Sequence, residues 1–256
     1  MAHAAAPTQI EPGKKFSPWQ SNQATPFASV ATDLGIIYLR PRLTLGYGAP
    51  FWNFVGIDTF WMTTNSFTSP YVGWRASLPF LDAFLGVRHT YPWNRRFMAR
   101  KSSHPAGDLD LAELGGRRSE YNALDFEIAA FAPALHGVFF LSVHPVWVDA
   151  PKDVHMYEEV LRVIIEPPFA LGLRGGYLYG IGTEQNLKVG GMLEHVVMPR
   201  RPEGVWRTGP VALATFSKNL EGLFAFSVVF ASPDDLGVVH GTYAFLGLLH
   251  RWAHRF

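Results

Sequence analysis

Ser142-Val143-His144 places a hydroxyl and an imidazole two residues apart, which brings both to one face of a strand. A serine becomes a nucleophile there only with its histidine as base, a third group to orient that base, and donors for an oxyanion. Asn122 and Asp125, on the preceding segment, are the candidate orienters. A polar pair on a strand face is the plainer account, so no catalytic residue is assigned. His250 and His254 would share a metal on a helix, but on a strand they only share a face. Glu194 and His195 point to opposite faces of a strand, and no metal or cofactor is expected. The pairs Arg95-Arg96 and Arg200-Arg201 suit lipid phosphates or, more simply, solvated turns.

The elements that carry these residues are strands. Residues 34 to 256 run as segments of about ten residues separated by turn signals, the spacing of barrel strands. Ile37, Leu39, Pro41, Leu43, Leu45 and Tyr47 fall on one face, with Arg40, Arg42 and Thr44 on the other. Pro70, Val72, Trp74, Ala76 and Leu78 oppose Arg75 in the same way, and Leu81, Leu85 and Val87 oppose Asp82 and Arg88. Similar alternation marks 124–130, 161–166, 171–174 and 187–194, and weaker segments lie near 52–63, 136–147, 205–217, 220–231 and 236–252. A soluble sandwich alternates too, but it would turn its charged faces outward and leave a very large apolar core for this length. The expected fold is therefore all-β: an antiparallel transmembrane β-barrel of about twelve strands.

Composition agrees. The chain of 256 residues is 48% hydrophobic and 17% charged, with a mean hydropathy of +0.06. A barrel gives this compromise, because only alternate residues meet lipid. Gly175-Gly176 and Gly190-Gly191 lie inside strands, where bending or close packing is expected. The net charge of +1 gives no hint of a nucleic-acid partner. The absence of cysteine fits export through an oxidising compartment. Ala2-His3-Ala4-Ala5-Ala6-Pro7 reads either as the end of a signal peptide or as an Ala-rich leader, and residues 1–33 as a flexible periplasmic arm.

With apolar faces in lipid, the lumen is expected to hold Arg40, Arg42, Arg75, Arg88, Arg162, Arg174 and Lys188. Facing them are Asp58, Asp82, Asp125, Glu127, Glu158, Glu166 and Glu194. Such balance favours a cross-braced or plugged interior, because unpaired charge in a dry lumen is costly. One connection is long, about 93–118. It carries Arg95, Arg96, Arg100, Lys101, Arg117 and Arg118 around an acidic centre of Asp108, Asp110 and Glu113. Counting strands from residue 34 puts this loop on the periplasmic side with the N-terminal arm. There it would dock a partner or plug the lumen, with a short helix at 108–114 ended by Gly115-Gly116.

The chain ends on Val238-Val239-His240-Gly241-Thr242-Tyr243-Ala244-Phe245-Leu246, running on to Trp252 and Phe256. An aromatic-rich last strand with a terminal Phe resembles that of bacterial outer-membrane β-barrels, in which it closes the barrel and is read by the insertion machinery. The resemblance implies a Gram-negative outer membrane, contact with its lipid and lipopolysaccharide, and periplasmic or outer-membrane protein partners. The short outer turns expected on this count, the long inner loop and the paired lumen charges suggest a non-enzymatic component of an export or motility machine. In that general respect the chain resembles the small porin-like barrels of myxobacterial gliding complexes. A narrow pore for small solutes is the alternative. Outer-membrane phospholipases and lipid A deacylases, which resemble the chain at Ser142 and His144 though in the order His then Ser, give a third.

Overall fold

The computed structural model describes residues 24–36, 38–201, 203–237 and 242–256, with only the backbone of Ala112 and Glu113. Expectations that fall on residues 1–23, on Ile37, on Val238 to Gly241 or on the Glu113 side chain lie outside the described residues. Twelve antiparallel strands close into a barrel. In chain order these are β1 (Thr25–Gly35), β2 (Tyr38–Ala49), β3 (Asn53–Thr64), β4 (Phe67–Leu78), β5 (Leu81–Pro92), β6 (Tyr121–Ala134) and β7 (Gly137–Asp149). Two short strands, β8 (Met156–Glu158) and β9 (Val163–Ile165), then pair only with each other. The wall resumes with β10 (Phe169–Ile181), β11 (Leu187–Val197), β12 (Val205–Ser217), β13 (Leu220–Ala231) and β14 (Tyr243–Arg255). Pairing of β14 with β1, from Phe27 with Arg255 to Gly35 with Gly247, closes the ring and leaves no free edge.

Alternation decides which face each residue takes. Val30, Leu43, Leu45, Ile57, Val72, Leu85, Leu141, Leu193 and Leu248 are exposed on the outside. A closed barrel wearing this apolar belt is a membrane-spanning one, with its backbone groups paired along the ring. Aromatic residues gather towards both ends. Trp61 and Trp147 lie near one end, and Tyr47, Tyr179, Phe216 and Trp252 near the other, all exposed.

The strands differ from the expected ones in two places. Residues 25–33 do not belong to an arm: they are most of β1. Its inward residues are Phe27, Ser29, Ala31 and Asp33, and its small side chains weaken the apolar signal that marks the other strands. Conversely, 161–166 is not wall. Val163, Ile164 and Ile165 are all fully buried, so this run has no lipid face. A continuous apolar triplet without alternation is the mark of an enclosed strand.

The two errors cancel in the strand count but not in topology. The N-terminal end of β1, the C-terminal end of β14 and the turns 50–52, 79–80, 135–136, 182–186 and 218–219 share one end of the barrel. Links 65–66, 93–120, 150–168, 198–204 and 232–242 share the other, called here the loop end. The long connection thus lies opposite the termini, and the turns near Tyr47–Phe51, Leu78–Phe80 and Pro133–Gly137 lie with them. After 166 the spurious strand restores the parity lost with β1. A count of strands from residue 34 therefore agrees with the structure for the later links, which lie opposite the termini.

The expected helix appears in part, as a single 3-10 turn at Ala106–Leu109 followed by α1 (Leu111–Leu114). Gly115 and Gly116 stop it with φ of 67° and 108°.

Candidate functional site in the lumen

Two unlike walls face the lumen. Along β1 to β5 runs a ladder of alternating charge. Arg40 bridges Asp33; Arg42 and Arg75 lie 3.5 and 3.4 Å from Asp58, and Arg75 continues to Asp82 at 2.5 Å. Thr44 donates to Asp58 at 2.8 Å. Arg40, Arg75 and Asp82 keep 31%, 20% and 24% of their side-chain surface open while Asp33 and Asp58 are buried, so this wall is partly solvated. Tyr71, stacked on Phe60 at 4.5 Å, lies over Gly73 and Gly86. A Cβ on either glycine would come within 2.6 Å of the Tyr71 hydroxyl.

The opposite wall is dry. The β8–β9 hairpin folds inward from the 150–168 link and packs with Val146, Val148, Ala170, Val196 and Val205, all buried. Its polar groups are tied to the wall. Arg88 holds Asp125 at 2.5 Å and Glu158 at 2.6 Å, and the Tyr121 hydroxyl donates to Glu158 at 3.0 Å. Arg207 donates to the carbonyls of Leu161 and Arg162 at 2.9 and 2.5 Å, and lies 3.3 Å from Glu194. Arg174 completes that group at 2.8 Å from Glu194. Towards the other end, Leu178, Met192, Val211 and Ala225 form a small apolar cluster on the same side.

The loop end is an interlock of the long links. His104 is fully buried, with Nδ1 at 2.9 Å from Asp108 and Nε2 at 2.8 Å from His155 Nδ1. Arg201 reaches His155 Nδ1 at 3.0 Å and Asp234 at 2.6 Å, and Asp234 also accepts the His104 backbone N–H at 3.0 Å. Arginine can only donate, so His155 Nδ1 is an acceptor and the imidazole is neutral there. Burial, followed by the positive charge of Arg201, pushes the pKa of His155 down to about 4. Lys101 and His104 hold the Asp108 carboxyl below its usual range, whereas burial raises that of Asp234.

Most of the expected lumen residues meet in these networks. Asp33, Tyr121 and Arg207 join them without having been anticipated. Asp33 sat in the supposed arm, and Arg207 in a segment of weak alternation. Glu158 and Arg162 belong to the hairpin rather than to the wall. Glu166 is not lumenal: it binds Arg100 at 2.6 Å and lies 3.8 Å from Arg200 and from His155, at the loop end. Glu127 is half-buried on the inward side of β6, and the Lys188 ammonium donates to the Gln185 carbonyl at 3.1 Å.

The charges expected to dock a partner serve mainly the loop itself. Arg95 approaches Glu159 at 3.5 Å and stacks over Tyr157. Arg96 donates to the carbonyls of Asp108 and Gly115, Arg118 to those of Pro92 and Trp93, and Arg117 lies over Phe97. Arg100 and Lys101 pair with Glu166 and Asp108 while staying about half exposed, and Asp110 forms a β-bridge with Arg95. The terminal Trp252 and Phe256 are exposed on the outer face, and the Phe256 N–H donates to Pro26 O at 3.0 Å.

Ser142 and His144 point into the lumen. His144 Nε2 lies 3.5 Å from an Asp125 carboxylate already held by Arg88, and Ser142 is buried. This takes the pair away from the bilayer surface where a lipid substrate lies. Among the described residues no cluster of metal-ligating groups is found.

No family profile and no curated protein matches the chain. Solved structures similar to it include the KdgM porin, at 9% identity and a TM-score of 0.45, covering 88% of this chain and 98% of that one. The NanC porin aligns at 7% identity and a TM-score of 0.40, over 90% of this chain and 99% of that one. An outer-membrane channel from Pseudomonas putida F1 aligns at 10% and 0.46, over 94% and 99%. With its closed ring, apolar belt and aromatic ends, this chain is a twelve-stranded transmembrane β-barrel.

Proposed function

We propose that the barrel is a narrow channel for small solutes, its bore set by the infolded β8–β9 hairpin. The supporting observation is the asymmetry of the lumen. One wall is sealed by buried hairpin contacts, while the Asp33–Arg40–Arg42–Asp58–Arg75–Asp82 ladder stays partly solvated along the other. Water and solute then follow the ladder, whose alternating charges give a polar track without strong selectivity for either sign.

A component of an envelope machine is the second reading, supported by the bracing of the lumen. Its other supports have gone, because the long loop lies opposite the termini and its charges are largely spent on its own packing. Protein partners remain part of that proposal alone. Contact with outer-membrane lipid and lipopolysaccharide belongs to both.

Planar-bilayer recording separates the two. The channel reading expects small discrete conductance steps from wild-type protein. It also expects steps several-fold larger when residues 152–166 are replaced by a short Gly-Ser linker. Insertion of folded wild-type barrels with no conductance would overturn it in favour of the scaffold.

A further inference from the structure

Between the hairpin and the inner ends of β2, β3, β4 and β14 lies a cavity of about 310 Å³ at the loop end. That volume is at the small end of pockets that hold organic ligands, roughly 300–1,000 Å³. Apolar groups make much of its wall, among them Met62, Phe67, Val160 and Phe245, the last stacked on Tyr38 at 5.0 Å. Three guanidinium-bearing residues also line it: Arg40, Arg95 and Arg162. Arg40 is paired with Asp33, and Arg95 lies against Glu159. Arg162 lies over the Tyr243 ring at 4.9 Å and has no carboxylate within ion-pair distance among the described residues. Glu159 is 95% buried and lines the same cavity, yet its Oε1 accepts no hydrogen bond.

The cavity therefore combines an apolar wall with an excess of positive charge. Burial, only partly offset by Arg95 and, more weakly, by Arg162, raises the Glu159 carboxyl to about 7. The positive excess thus grows below neutrality. We propose that this cavity is a binding station for a small organic carboxylate with an apolar or ring-shaped body. Its carboxylate pairs with Arg162, and its body packs against Tyr38, Met62 and Phe245. Arg40 belongs both to the cavity and to the charged ladder, so the station stands at the head of the proposed track. To that extent the proposal deepens the channel reading and rests on it.

Benzoate is a suitable probe, with benzyl alcohol and benzylamine as its neutral and cationic counterparts. Calorimetric titration of folded protein in detergent should show saturable benzoate binding, about tenfold or more tighter than benzyl alcohol, with benzylamine weakest. Arg162→Gln should remove that preference. Val160→Phe, which fills the cavity without touching the charge, should weaken benzoate and benzyl alcohol alike. Heat-modifiable migration on a gel confirms that each variant is folded. Equal affinity for benzoate and benzyl alcohol, or full retention of benzoate binding by both variants, would overturn the site. Bilayer recording keeps the two proposals apart. Benzoate binding without conductance sinks the channel and retains the station, whereas conductance without benzoate binding does the reverse.

Discussion

Arg88 is 1% exposed and is the one cation within reach of both Asp125 and Glu158 among the described ion pairs. Its removal leaves two buried carboxylates facing each other across the hairpin contact. Loss of one partner from such a group costs about 3–5 kcal/mol. Arg88→Met should therefore lower the urea midpoint of the folded barrel by that equivalent. Arg100→Met, whose pair with Asp153 leaves the two side chains 44% and 80% exposed, should cost under about 1 kcal/mol. Equal midpoints for the two variants would refute the buried role. His155 gives a second prediction. Its pKa in the folded protein, about 4, lies below the usual 6.5, so the unfolded chain binds more protons between those values. The stability that this neutral histidine contributes is fully present above about pH 6.5 and is lost as pH falls towards 4. The groups around it (His104, Arg201, Arg100 and Glu166) include three that resist a new positive charge. Hydrogen exchange across 98–108 and 150–155 should accelerate over that window, and His155→Gln should flatten the dependence. A wild-type profile already flat from pH 7 to 4 would contradict the interlock.

Glycine shapes the partly solvated wall at the scale of the strand. Gly73 and Gly86 face one another across β4 and β5, and Tyr71 lies over both. A methyl at either position displaces that ring from its stack with Phe60 and disturbs the Asp58–Arg75 rungs beside it. Gly86→Ala should cost about 1–3 kcal/mol as an overpacking change, while Gly107→Ala, in the 3-10 turn of the long loop with open space at the added methyl, should be nearly silent in the midpoint of denaturation. What could be read in the sequence follows the same physics. Where one face meets lipid, alternation is clean, as at Leu39 to Tyr47 and Leu81 to Val87, and the strand and its inward charges are legible together. β1 escapes because Ala28 and Thr32 dilute its outward face, and the hairpin misleads because Val163 to Ile165 is apolar on both sides. Pairings such as Arg88 with Glu158, seventy residues apart, come from the infolding and have no local signature. Most charges of the network are legible, Asp33 and Arg207 excepted, but the hairpin that organises them is not.

On the scale of the whole barrel, sidedness follows from which links share an end. In outer-membrane barrels the short turns lie in the periplasm and the longer loops outside. Here the short turns lie with both termini, and the interlocked links lie opposite. The hairpin, the His104–Arg201 interlock and the carboxylate station would then guard the outer mouth, where a solute arrives. The chain has no cysteine, so single cysteines report location without background. Ser103 is exposed in the long loop, and Thr183 is exposed in the turn between β10 and β11. A membrane-impermeant maleimide added to intact cells should label Ser103→Cys and spare Thr183→Cys until the outer membrane is permeabilised. The opposite pattern would turn the barrel over. It would leave the folded structure intact but move the station and its interlock to the periplasmic mouth, where they would screen solutes leaving the cell instead of entering it.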